Sequence, residues 1–111
     1  MARNMIFVIF PGIGYKRENS QMMFMVARYY MDTIPETDYM YWIMFNQLGR
    51  YCSMEEAVMM ARMSDPNRKI YIRKTEGCAS CNGAATPFSI SEDALHRQYS
   101  ELNFSGECGT I

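Results

Sequence analysis

Two cysteines separated by two residues, Cys78 and Cys81, are the residues of this chain whose types and spacing most directly suggest chemistry. They follow the strand-like run 69–74 and are flanked by glycines, which places them on a loop at the end of a predicted strand. Cysteine pairs at this spacing bind metal ions or exchange disulfides. In a zinc site they would be half of the tetrahedral ligand set, and the other half would come from Cys52, Cys108 or His96. The usual second close pair of ligands is missing, so we expect no cofactor, with zinc as the alternative.

The same two thiols are candidate nucleophiles. Cys81 is the centre of the small-x-nucleophile-x-small segment 79–83, a spacing that places a nucleophile on a tight strand-to-helix turn. The loop 10–15 resembles the oxyanion loops of α/β-hydrolases. The resemblance implies that the backbone amides of this loop lie near the nucleophile, which would be Cys81 or Cys78. Pro87 interrupts the helix that should follow, and too few residues remain to complete a thioredoxin-like fold. A cysteine-dependent enzyme stays an alternative, and the sequence favours a protein that is not an enzyme.

A second loop has the composition of an anion site. Gly12 and Gly14 follow an apolar run, Lys16 and Arg17 come next, and a helix is predicted to begin at residue 19 or 20. Free backbone amides and a helix dipole attract anions at such a position. The full phosphate-loop patterns are missing, so a plain strand-to-helix turn is the competing interpretation.

Composition limits the class of protein. The chain has 111 residues, 49% of them hydrophobic and 21% charged, as expected for one folded unit over residues 1–111. Eleven basic and twelve acidic side chains give a net charge of −1, which argues against general nucleic-acid binding. No apolar run approaches the roughly 18 residues that span a bilayer, so we expect no membrane association. We expect a cytoplasmic protein with mostly reduced cysteines.

Hydrophobic patterning predicts an α/β domain. We predict strands over 5–10, 39–45, 69–74 and 88–90, and helices over 21–32, over 54–63 and from 91 to before Gly106. Pro11 ends the first apolar run, and residues 34–38 form a turn by composition. Ser53 and Glu56 have the spacing of a capping box, in which the Glu56 carboxylate would accept from the Ser53 amide. Crossovers of about a dozen residues or more favour parallel strands. The expected fold is a small three-layer domain with a mostly parallel three- or four-stranded sheet and helices on both faces. The first three strands would lie in the order 2-1-3 or 1-2-3.

Aromatic and methionine residues are concentrated around the second predicted strand. The chain contains twelve methionines, and this strand combines them with Tyr39, Tyr41, Trp42 and Met44. Such flexible and aromatic side chains are enriched in protein interfaces. If the strand lies at a sheet edge, this is more apolar surface than two short helices can easily cover.

The sequence therefore predicts a small soluble protein-binding module. Its partner would be another protein or a second copy of the chain, bound by strand addition or by packing of faces. An inhibitor, an adaptor and a viral-type accessory protein all fit this size and composition. A cysteine-dependent enzyme and a structural zinc protein are the alternatives.

Overall fold

A computed structural model describes residues 4–12, 23–75 and 86–102. Six strands in these ranges form one sheet in the order β5-β3-β2-β1-β4-β6. The elements in chain order are β1 Met5–Pro11, β2 Phe24–Thr33, β3 Met40–Tyr51, α1 Met54–Ser64, β4 Ile70–Arg73, β5 Ser89–Ser91, α2 Glu92–Gln98 and β6 Tyr99–Glu101.

The predicted three-layer α/β fold with a mostly parallel sheet is wrong. Of the strand pairs in the described ranges, β1 and β4 run parallel, and the other four pairs are antiparallel. The main error is the predicted helix over 21–32, where residues 24–33 form β2. A strand buried on both faces has apolar residues at nearly every position, and so does a largely buried helix. Sequence pattern therefore did not separate the two.

The first strand lies in the interior of the sheet, as in the predicted order 2-1-3 and unlike in the order 1-2-3. Ile6, Val8 and Phe10 point into one hydrophobic cluster, and Phe7 and Ile9 point into the other. Its parallel neighbour is β4, the third predicted strand, which is its neighbour in the predicted order 2-1-3 but not in the order 1-2-3. Neither predicted strand order is observed, because β2 lies between β1 and β3.

The two clusters define the two faces of the sheet. The Trp42 face contains the first cluster, in which Leu95 of α2 packs with Phe10, Tyr29 and Trp42. The α1 face contains the second cluster, in which α1 packs on β1, β2 and β4. The residues that α1 buries there are Ala57, Val58 and Ala61.

The helix predicted over 54–63 is confirmed as α1, and its capping residue is Ser53. The Ser53 Oγ atom accepts a hydrogen bond from the Glu56 amide over 3.1 Å. The Glu56 carboxylate accepts from the amide of Cys52 over 3.2 Å, one residue before the serine amide expected for it. Both bonds satisfy amides at the start of the helix.

The last predicted helix is too long. It begins after Ser91 as expected, with Ser91 Oγ accepting from the Ala94 amide, but α2 ends at Gln98 and β6 follows directly. Leu95 and Tyr99 lie on the Trp42 face, whereas Leu102 belongs to the α1 face. Neither helix within the described ranges has the length and apolar character to cross a membrane.

Candidate protein-binding surface

The turn between β2 and β3 holds a short loop in a defined conformation. The Ile34 amide donates to the Tyr39 carbonyl over 3.0 Å. The Thr37 hydroxyl donates to the Ile34 carbonyl and accepts from the Tyr39 amide. Glu36 and Asp38 have φ values of 74° and 60°, in the left-handed region that side chains adopt rarely. The predicted turn at 34–38 is confirmed, and its own hydrogen bonds fix the positions of its two ends.

Apolar side chains at this turn are exposed to solvent. Ile34 is 45% exposed, Tyr39 is 65% exposed and Met40 is 40% exposed. We call these three residues the hairpin patch. Large apolar side chains held in solvent on an ordered loop are typical of contact surfaces.

A cleft of about 320 Å³ lies beside the hairpin patch. Across the strands, Tyr41 is paired with Asp32, and Ile43 is paired with Ser89, so these side chains share the α1 face of the sheet. The lining residues are Asp32, Thr33, Ile34, Pro35, Tyr41, Ile43 and Ser89. Tyr41 and Ile43 stay partly exposed at the floor of this hairpin cleft.

The structure separates the four predicted interface residues into two groups. Tyr39 is exposed, and Tyr41 lines the hairpin cleft. Trp42 is only 4% exposed and belongs to the core, and Met44 packs against the same cluster. These two point to the opposite face because alternate residues of a strand do so. The expectation that Trp42 and Met44 belong to an exposed surface therefore needs correction.

Apart from Tyr39 and Tyr41, the residues of this surface were not predicted as interface residues from the sequence. Ile34 is the first residue of the predicted turn and Asp32 lies two residues before it, and turn composition gave no reason to expect a cleft there. The apolar character of Ile34 in a turn of otherwise polar composition was the available signal.

A second cleft, of about 300 Å³, lies on the Trp42 face and contains paired polar groups. Glu92 Oε1 accepts from Trp42 Nε1 over 3.0 Å and lies 3.3 Å from His96 Nε2. The Tyr71 hydroxyl, at the same cleft, donates to Glu101 Oε1 over 3.4 Å. Burial, with the Glu101 charge next, raises the pKa of Tyr71 to about 12. The polar side chains of this cleft thus already bond to one another, which is typical of polar groups with a structural role.

The cysteine predictions fall mostly outside the described ranges. Cys78, Cys81 and Cys108 lie outside the described ranges, so the zinc, redox and nucleophile hypotheses stay predictions. Cys52 is described, and it is an exposed free thiol directly after β3. Within residues 4–12, 23–75 and 86–102, no three His, Cys, Asp or Glu side chains group closely enough to hold a metal ion.

The predicted anion loop begins at Gly12, and the surroundings of Gly12 differ from those expected. Gly12 has a φ of 86°, and its amide donates to the Met23 carbonyl over 2.8 Å. That amide is therefore already used within the chain, and residues 24–33 form no helix whose dipole would act there. Gly14, Lys16 and Arg17 lie outside the described ranges, and their role in anion binding stays a prediction.

Comparisons with known proteins found no matching family model, no matching curated protein and no matching solved structure.

Proposed function

We propose that this chain is a small protein-binding module, of the inhibitor or adaptor type, that contacts its partner through the hairpin patch and the hairpin cleft. The observation that carries the proposal is the ordered 34–39 loop, which keeps Ile34 and Tyr39 exposed at its two hydrogen-bonded ends. The partner is another protein or a second copy of the chain.

An ordered contact loop favours affinity for a physical reason. Association restricts side chains and loops, at about 0.5–1.5 kcal/mol for each flexible side chain that is immobilised. The bonds between Ile34, Thr37 and Tyr39 restrict this loop before any partner arrives. Burial of the exposed apolar area then contributes about 25 cal/mol per Å².

Strand addition is the less favourable of the two predicted binding modes. β3 has β2 on one side. On its other side, residues 41–43 of β3 pair with β5 within the described ranges. The next stretch of β3 carries two irregularities, at which Phe45 and Leu48 have no paired residue in β2. Bulges twist an edge and interrupt its ladder, and proteins use them to prevent edge-to-edge pairing. A partner is better accommodated at the loop and the cleft.

Site-specific photo-cross-linking tests the proposal. A benzophenone amino acid is placed at position 39 in one variant and at position 63 in another, because Met63 is also exposed, at 72%, but lies on α1. Cells producing each variant are irradiated, and the cross-linked protein is identified by mass spectrometry. We expect one dominant product from position 39 and none from position 63. No product from position 39, or the same product from both positions, would refute the proposal.

A further inference from the structure

We infer that the hairpin cleft receives a cationic side chain, arginine in particular, from the partner protein. This inference rests on the proposed function, because it names the chemistry of the partner segment that this surface binds.

The charged side chains in the part of the hairpin that β2 and β3 form around this cleft are all acidic. The sequence contains no lysine or arginine between Arg28 and Arg50, a stretch that includes the end of β2, the loop and most of β3. The same stretch contains Asp32, Glu36 and Asp38, all exposed. Within the described part of the chain none of these three carboxylates forms an ion pair. A cation at the cleft would thus meet several unpaired negative charges and no positive charge from these elements.

Asp32 places one of these charges at the cleft. Its Oδ1 atom accepts a hydrogen bond from the Thr33 amide over 2.9 Å, which orients the carboxylate. The second carboxylate oxygen can accept from an incoming donor. Glu36 and Asp38 belong to the loop beside the cleft, where they add to the local potential.

The other lining residues suit the stem of a long cationic side chain. Ile34, Pro35 and Ile43 supply apolar contacts, and Tyr41 supplies an aromatic ring. Arginine combines an apolar stem with a planar cation that pairs with carboxylates and stacks on aromatic rings. A volume of about 320 Å³ is at the lower end of small-ligand pockets and suits a single long side chain with its neighbours. A metal ion fits less well, since no group of three possible metal-ligating side chains occurs in the described ranges.

Peptide titration followed by two-dimensional ¹⁵N NMR tests this inference without knowledge of the partner. The probes are the acetylated, amidated tripeptides Leu-Arg-Leu and Leu-citrulline-Leu, which differ by the charge of one side chain. We expect saturable shifts from the arginine peptide at the amides of residues 32–34, 41–43 and 89. We expect about fivefold weaker binding of the citrulline peptide, as for loss of one partly exposed ion pair.

Two variants make the test specific. Asp32→Asn keeps the acceptor for the Thr33 amide and removes the charge, so it should weaken arginine-peptide binding about fivefold. Glu55→Gln removes an exposed charge on α1 and should change nothing. Equal binding of the two peptides, no saturable shift at about 10 mM peptide, or an unaffected Asp32→Asn variant would overturn the inference.

The failure of this inference is distinguishable from the failure of the proposed function. If position 39 cross-links a partner and Asp32→Asn leaves the yield of that product unchanged, the module binds a protein but not through a cation in the cleft. If position 39 cross-links nothing, the proposed function itself fails.

Discussion

The indole nitrogen of Trp42 donates a hydrogen bond to Glu92 Oε1 over 3.0 Å. The bond joins β3 to the first residue of α2, 50 residues further along the chain. Ile90 of β5 pairs with Trp42 directly before that helix begins. The short segment that includes β5 and α2 is thus fixed to the sheet by a buried aromatic side chain, and Trp42 has a structural role.

Replacement of Trp42 should destabilise the fold. Trp42→Ala should lower the free energy of unfolding by about 3–5 kcal/mol, because it leaves a large cavity in the core and removes the hydrogen bond to Glu92. Urea unfolding followed by circular dichroism measures this change. Tyr39→Ala is the control on an exposed aromatic residue, with an expected change within about 0.5 kcal/mol. A loss below about 1 kcal/mol for Trp42→Ala would contradict its place in the core.

The cap of α1 should contribute measurably to stability. Ser53→Ala removes the acceptor for the Glu56 amide and should lower the free energy of unfolding by about 1 kcal/mol. Ser53→Asp keeps an acceptor at the helix start and should retain most of this contribution. The same urea measurement checks both variants. Equal stability of wild type and Ser53→Ala would show that the capping bond contributes nothing.

The protein should lose stability at alkaline pH. Because the pKa of Tyr71 is raised to about 12 in the folded state, Tyr71 stays protonated there while an unfolded tyrosine releases its proton above about pH 10. Its contribution is therefore complete below about pH 10 and is lost as the pH rises to about 12. The free energy of unfolding should fall by about 1.4 kcal/mol per pH unit for each such tyrosine. Burial also raises the pKa of Tyr99, which adds to the effect.

Two variants identify the contribution of Tyr71. Tyr71→Phe should make the decline between pH 10 and pH 12 shallower by about 1.4 kcal/mol per pH unit. Glu101→Gln removes the neighbouring charge and should lower the pH at which the Tyr71 contribution ends. Urea unfolding at several pH values gives the slopes. Identical slopes for wild type and Tyr71→Phe would exclude a raised pKa at this residue.

Patterns of neighbouring residues predicted β1 and the start of α1 correctly. The short apolar run ended by Pro11 identified β1, and the spacing of Ser53 and Glu56 identified the start of α1. In both cases a pattern of neighbouring residues is sufficient, because the strand is buried on both faces and the cap is a local hydrogen bond.

Long-range pairing determined what the sequence did not reveal. Residues 24–33 are apolar enough for a buried helix, and antiparallel pairing with both β1 and β3 makes them a strand. Tyr99 was expected to continue a helix, and pairing with Arg73 places it in β6. The orientation of Trp42 toward the core depends on its packing in the cluster that includes Ile90 and Leu95. Such contacts join residues far apart in sequence, so no local pattern contains them.

The most direct test of the protein-binding account is the dissociation constant of the cross-linked partner, measured by calorimetry with two double variants. Ile34→Ser with Tyr39→Ser removes two exposed apolar side chains from the hairpin patch, and Met59→Ser with Met63→Ser removes two from α1. For the hairpin variant we predict affinity weaker by about thirtyfold or more, equivalent to about 2 kcal/mol. For the α1 variant we predict unchanged affinity. Equal dissociation constants for wild type and the hairpin variant, with both proteins folded, would contradict the account.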